Sequence, residues 1–150
     1  MAKLAIVYAS VHHKNTEKLL QGIQAECPID LFDLTKEQEL DLSSYDAVGY
    51  ASGIFALKMH SLIYKILDEN KTLPKKAIAI CTSGVGKGKS AAKFAKYLQE
   101  KGFEVVGEFE CKGFDTFGPF KLIGGINRKH PDEKDIANGI AFLKETAKKL

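Results

Sequence analysis

Five short runs of mostly apolar residues alternate along the chain with segments in which apolar residues recur every three or four positions. The runs cover residues 3–9, 29–33, 45–51, 76–81 and 103–111. The first run, KLAIVYA, and the fourth, KAIAIC, are almost continuously apolar, which is typical of strands that are buried on both faces of a sheet. We therefore expect five strands, and their alternation with helical segments restricts the chain to few architectures.

Helical spacing predicts four helices, which follow the first, third, fourth and fifth strands. The residues that define their buried faces are Thr16, Leu19, Leu20 and Ile23; Met59, Leu62, Ile63, Ile66 and Leu67; Ala91, Phe94, Ala95 and Leu98; and Ile136, Ile140, Leu143 and Ala147. Asn15 or Thr16 can cap the first helix. Pro131, followed by Asp132, is expected to open the last helix.

Strands that alternate with helices form a parallel sheet covered on both faces, because parallel neighbours need a crossover connection. The predicted fold is a doubly wound α/β three-layer sandwich with a five-stranded parallel sheet in the order 2-1-3-4-5. With 150 residues, of which 45% are hydrophobic, we expect one domain over residues 1–150. Ligands of such sheets bind at the carboxyl ends of the strands, near the switch point between strands 1 and 3. The loops after strands 1, 3 and 4 are therefore the candidate site.

Composition and charge disfavour several other functions. The net charge is only +3, and the lysines are spread over the predicted helices, so we expect no nucleic-acid binding. No apolar run approaches the length of a membrane span, so we expect no membrane insertion. Cys27, Cys81 and Cys111 lack the spacing of a zinc or redox motif, which favours a reducing, cytoplasmic setting with Cys81 as an inert core thiol. Nothing in the sequence fixes the distance between His60 and His130, so we assign neither a metal-binding nor a catalytic role to them.

The segment SGVGKGKS, residues 83–90, is nearly a P-loop for ATP or GTP. That motif, G-x-x-x-x-G-K-S/T, would end here at residues 88–90 and needs its first glycine at position 83, which is Ser83. A P-loop binds phosphate through successive backbone N–H groups, whose directions depend on this spacing. Nucleotide binding is therefore disfavoured. A phosphoacceptor domain is disfavoured as well, because Asp33 ends strand 2 whereas Asp46 lies at the start of strand 3, and these positions lie at opposite edges of the sheet.

The three loops of the candidate site differ in their chemistry. SVHHKNT, at 10–16, brings hydroxyl, amide and imidazole groups to a helix N-terminus that could hold a phosphate; a simple capped helix with two exposed histidines explains it equally well. SGIFALKMH, at 52–60, offers a flat apolar surface beside a glycine, unless Ile54 and Phe55 pack on the core. TSGVGKG, at 82–88, has closely spaced glycines whose uncovered backbone donors suit the polar edge of a planar heterocycle.

These segments, in this order, resemble the flavodoxin family, whose phosphate loop reads close to S/T-x-T-G-x-T before a helix. The resemblance covers essentially the whole chain and implies FMN as the cofactor. The cofactor-binding residues that it implies are Ser10, His12, His13, Lys14, Asn15 and Thr16 around the phosphate; Ser52, Gly53, Ile54 and Phe55 against one face of the flavin ring; and Thr82, Ser83, Gly84 and Gly86 beside its other side and pyrimidine edge. Lys14 and an imidazole, which stand where the family has Thr-Gly, would add attraction for the phosphate.

One aromatic contact departs from the family pattern. The usual tyrosine after strand 4 is absent, which leaves Phe55 or one of Phe114, Phe117 and Phe120 as the aromatic contact to the flavin.

The function that the family resemblance implies is that of an electron carrier between partner proteins. A flavin-dependent oxidoreductase acting on a small substrate, of the quinone or porphyrinogen type, is the alternative, and the slightly basic charge of the chain gives it some weight. Because the flavin supplies the redox chemistry, we assign no catalytic residue.

Overall fold

The computed structural model, which describes residues 2–11, 13–113, 125–126 and 129–150, confirms the predicted architecture. In chain order its elements are β1 (Leu4–Ala9), α1 (Asn15–Gln24), β2 (Ile29–Asp33), β3 (Ala47–Gly53), α2 (Ser61–Glu69), β4 (Lys76–Ser83), α3 (Lys89–Glu100), β5 (Glu104–Lys112) and α4 (Glu133–Ala147). The strands pair in parallel, in the order β2-β1-β3-β4-β5. The carboxyl ends of β1, β3 and β4 therefore lie side by side at one edge of the sheet.

Helices cover both faces of the sheet. The buried residues of α2 and α3, which pack on one face, are Ile63, Ile66, Leu67, Ala91, Phe94, Ala95 and Leu98. The buried apolar residues of α1 and α4, which pack on the other face, are Leu19, Leu20, Ile23 and Leu143. Each large aliphatic or aromatic side chain buried in this way contributes about 1.5–3 kcal/mol to stability. Within the described ranges, no helix is both long enough and apolar enough to cross a membrane.

The neighbouring strands β3 and β4 continue further than the sequence predicted. In the sheet Gly53 pairs with Thr82, and Ser83 pairs with Lys112. Ser52, Gly53, Thr82 and Ser83 were predicted to be loop residues, and the structure places them in strands. Small and hydroxyl-bearing residues interrupt the apolar pattern there, but the ladder of main-chain hydrogen bonds does not depend on side chains.

The starts of two helices differ from their predicted positions. Met59 was predicted on the apolar face of the second helix, but α2 begins at Ser61 and Met59 lies in the preceding loop, where it is still buried. The last helix begins within the predicted segment, at Glu133 rather than at Pro131. Asp132 is its N-cap and forms a capping box with Asp135, which satisfies backbone donors of the first turn.

The cysteines are buried and free. Cys81 lies in β4, where burial raises the pKa of its thiol far above the ordinary value. Burial raises the pKa of Cys111, near the end of β5, to about 12. Neither thiol forms the reactive thiolate near neutral pH, which agrees with the prediction of an inert core thiol at Cys81.

Candidate functional site

Three loops at the carboxyl edge of the sheet form the candidate site. They follow β1, β3 and β4 and cover residues 10–14, 54–60 and 84–88. Because β1 and β4 both pair with β3, the starts of these loops are held next to one another. This is the switch point of the sheet, where the chain leaves β1 toward one side and β3 toward the other.

Thr16, in the first turn of α1, and Thr82, near the end of β4, join the elements that flank the first and third loops. Their Oγ1 atoms lie 3.0 Å apart, and both residues are buried. One hydroxyl donates to the other, so the pair holds a second O–H that this bond does not use and that can donate to a ligand oxygen. Gly53 approaches the same point from β3, since a Cβ on Gly53 would lie 3.7 Å from Thr82 Oγ1. That distance is an ordinary contact, so neighbouring protein atoms do not by themselves require a glycine there.

Ser10 is buried, and its hydrogen bonds hold the first loop in place. Its hydroxyl accepts a hydrogen bond from the N–H of Glu17 at 3.1 Å, and its carbonyl accepts one from Lys14 Nζ at 2.9 Å. Lys14 is itself the N-cap residue of α1 and makes no side-chain capping bond, so the prediction that Asn15 or Thr16 caps this helix is wrong. The hydroxyl of Ser10, four residues before the cap, instead satisfies a donor of the first turn.

His13 and Lys14 give the first loop a strained backbone. Their φ angles are 56° and 54°, and a left-handed conformation costs a non-glycine residue about 1–2 kcal/mol. Both residues are exposed at the start of α1, where the positive end of the helix dipole and the lysine charge attract anions. His12, also predicted to contact phosphate, lies outside the described residues.

The loop after β3 forms a tight hairpin. Phe55 and Lys58 exchange two main-chain hydrogen bonds, of 2.7 and 3.0 Å. Ala56 and Leu57 form the tip with φ angles of 48° and 67°, as in a type I′ turn, for which asparagine and glycine are preferred. Leu57 is 75% exposed. A strained turn that holds an apolar side chain in solvent is typical of a binding loop.

Ser52 and His60 hold the base of this hairpin. The buried hydroxyl of Ser52 accepts a hydrogen bond from His60 N–H at 3.0 Å and donates one to the carbonyl of Gly53 at 2.7 Å. His60 is the N-cap of α2, since its Nδ1 accepts from Leu62 N–H at 3.0 Å. Its ring packs edge-on against Phe55, with centroids 5.5 Å apart. The Ser52 hydroxyl is thus committed to shaping the loop, and His60, which had no assigned role, is part of the site's support.

The partial burial of His60 makes stability depend on pH. Burial lowers the pKa of His60 below its ordinary value of 6.5, so the unfolded chain binds the proton more tightly and the protein loses stability as pH falls through that value. The side-chain oxygen of asparagine can accept the same hydrogen bond from Leu62 N–H. We therefore expect His60→Asn to preserve the free energy of unfolding at about pH 7.5 and to reduce the loss of stability between that pH and about pH 5. Urea unfolding at a series of pH values measures this, and an unchanged decline would contradict it.

Glu110 holds the loop after β4 in place, a role that the sequence did not predict. The Ser83 hydroxyl donates to Glu110 Oε2 at 2.7 Å and accepts from Gly86 N–H at 2.8 Å. Glu110 Oε1 accepts from Ala91 N–H, in the first turn of α3, at 2.8 Å. A protein carboxylate therefore stands at the helix N-terminus that a P-loop reserves for phosphate, which adds a structural argument against ATP or GTP binding at SGVGKGKS.

The structure gathers most of the predicted site residues at one edge. Those among the described residues are Ser10, His13, Lys14, Asn15, Thr16, Ser52, Gly53, Ile54, Phe55, Thr82, Ser83, Gly84 and Gly86. Gly113, just beyond β5, was not predicted but borders the site, because a Cβ on it would lie 2.6 Å from Asn15 Nδ2. The aromatic candidates Phe114, Phe117 and Phe120 lie outside the described residues.

A sheet of order 2-1-3-4-5 with a ligand site in its switch-point loops defines the flavodoxin-like class of α/β proteins. A family model described as a flavodoxin domain matches residues 5–117. The chain therefore belongs to the flavodoxin family. It is 41% identical over 148 residues to an uncharacterized protein of Methanocaldococcus jannaschii, a match that covers 97% of this chain and 99% of that one.

Solved structures share the fold at lower sequence identity. Oxidised Flavodoxin 1 from Bacillus cereus has a TM-score of 0.66 at 21% identity and covers 99% of both chains. A flavoprotein in complex with FMN from Lactobacillus acidophilus has a TM-score of 0.60 at 17% identity, over 74% of this chain and 94% of that chain. The rubredoxin:oxygen oxidoreductase of Desulfovibrio gigas has a TM-score of 0.68 at 18% identity over 97% of this chain, which spans only 35% of that longer protein.

Proposed function

We propose that this protein binds FMN at the carboxyl edge of its sheet and carries electrons between partner proteins. Bound FMN would supply the electron transfer that side chains cannot provide. The chain would hold the phosphate at the start of α1, with Lys14 and the hydroxyl of Thr16, and the flavin ring between the 54–60 and 84–88 loops. The unused O–H of the Thr16–Thr82 pair and the space beside Gly53 fit such a ligand.

The observation that carries the electron-carrier role is the position of the exposed apolar side chains. Among the described residues, the exposed large hydrophobic ones are Val11, Leu57 and Val85, at 39%, 75% and 59% exposure. One of them lies on each of the three loops of the site. An apolar contact patch around a cofactor edge suits the brief docking of a protein that exchanges electrons.

The same loops have a positive charge, which defines the kind of partner. Residues 10–14, 54–60 and 84–88 contain three lysines and no aspartate or glutamate. These lysines, all exposed, are Lys14, Lys58 and Lys87. Opposite charge accelerates encounter between proteins and is screened by salt, so the partner is expected to present an acidic surface.

The first test is the visible absorption spectrum of the protein purified without added cofactor. We expect flavin bands, and we expect acid to release FMN that mass spectrometry identifies. A colourless protein that also fails to take up added FMN would overturn the proposal.

The electron-carrier role is tested next with the reduced protein. Electron transfer to an acidic acceptor protein should be faster than transfer to a basic one, and the difference in rate should shrink as salt is added. Steady turnover of a quinone without a protein acceptor would instead favour the small-substrate oxidoreductase.

A further inference from the structure

A cavity of about 640 Å³ lies between the 54–60 loop, α2 and α3. Its volume is in the range that holds small-molecule ligands. Ile54 contributes to it from the loop, Tyr64 from α2, and Phe94 and Tyr97 from α3. Leu57, Lys58 and Met59 of the same loop also line it. Of the residues predicted to contact the flavin, Ile54 alone lines this cavity, so most of its wall is distinct from the predicted flavin contacts.

Three aromatic residues, Tyr64, Phe94 and Tyr97, form one apolar wall of the cavity. Tyr64 and Tyr97 meet edge to face with centroids 5.1 Å apart, and Phe94 and Tyr97 stack at 6.0 Å. The hydroxyl of Tyr64 accepts a hydrogen bond from the N–H of Met59 at 3.2 Å, which ties this wall to the loop. Such a wall selects planar aromatic ligands, because they can stack on or meet the rings edge-on over a large area.

Positive charge surrounds this wall. Lys58, Lys93 and Lys96 line the cavity and are exposed, whereas Glu100 is the acidic residue among those that line it. Lys93 and Lys96 lie one turn apart on α3, on the side that also carries Tyr97. An uncharged aromatic ligand would leave these ammonium groups without a partner, whereas a carboxylate on the ring would meet them at the cavity's rim.

We propose that this cavity is a binding site for a planar aromatic carboxylate of about the size of a fused ring pair. The ring would pack against Tyr64, Phe94 and Tyr97, and the carboxylate would face Lys93 and its neighbours. The occupant would contact the 54–60 loop and would share Ile54 with the predicted flavin contacts. The cavity can be tested whether or not FMN binds, because its aromatic wall and two of its lysines belong to α2 and α3.

The test is equilibrium dialysis of 2-naphthoate against the purified protein, saturated with FMN where FMN binds. We expect saturable binding of one molecule per chain that weakens as salt is added. Lys93→Glu should weaken it about tenfold, since it replaces an attraction with a repulsion. Lys149→Glu, the same charge change at the exposed end of the chain, should leave the affinity unchanged. 2-Naphthalenemethanol, which has the same rings without the charge, should bind about tenfold more weakly.

Several results would overturn the proposal. These are the absence of saturable binding, equal affinity for the neutral compound, and equal effects of Lys93→Glu and Lys149→Glu. Displacement of 2-naphthoate by one equivalent of FMN would also overturn it, because the compound would then occupy the flavin site. Failure to bind FMN would be seen separately in the absorption spectrum, and specific binding of 2-naphthoate to that colourless protein would still support the cavity.

Discussion

Replacing Gly86 with alanine will lower the free energy of unfolding by about 3 kcal/mol. Gly86 has a φ of +65°, where a Cβ is unfavourable, and that Cβ would lie 2.8 Å from the backbone nitrogen of Lys112 and 3.1 Å from the carbonyl carbon of Cys111. Those atoms belong to β5, which is held in the sheet by its pairing with β4. The strand cannot move aside as a flexible side chain could, so the overlap strains the whole loop.

Gly88→Ala is the matched control for this effect. Gly88 also has a left-handed φ, +85°, but a Cβ there would meet nothing within 4 Å. This change should therefore cost only the conformational penalty, about 1 kcal/mol. Urea unfolding of the two variants beside the parent protein measures both costs, and equal losses would show that contact with β5 does not explain Gly86.

The sequence was sufficient for the sheet because buried parallel strands leave a strong local signal. Runs such as KLAIVYA and KAIAIC in the sequence correspond to β1 and β4, and the helical spacing between the strands predicted which connections cross the sheet. The ends of the strands were less predictable. Ser52 and Gly53, and likewise Thr82 and Ser83, continue the ladder through main-chain bonds alone, so their side chains carry no strand signal.

The supports of the site could not be predicted, for two physical reasons. Glu110 bonds to Ser83 across a separation of 27 residues, and such a contact leaves no pattern in the local sequence. Ala56 and Leu57 form a left-handed turn without the asparagine or glycine by which such turns are normally predicted. The predicted loops did come together, because the positions of their ends follow from the strand order alone.

The second large effect is on FMN affinity, and Thr16→Val tests it. Valine keeps the branched shape but removes the hydroxyl at the start of α1, so a phosphate bound there loses a donor. We expect affinity for FMN to fall by about 1–3 kcal/mol, a factor of roughly 5 to 150. Lys89→Ala, in the segment that resembles a P-loop, should change the affinity little. Flavin fluorescence titration measures both, and equal losses would contradict the assignment of the phosphate to the first loop.

Thr82→Val separates contact with the ligand from support of the fold. Both threonine variants remove the same 3.0 Å hydrogen bond, so each should lower the free energy of unfolding by about 1 kcal/mol. Their effects on FMN should differ, because Thr82→Val leaves the Thr16 O–H free to donate to the phosphate, whereas Thr16→Val removes it. An affinity that falls equally in both variants would mean that Thr16 acts only by joining α1 to β4. A loss confined to Thr16→Val would identify its hydroxyl as a phosphate donor.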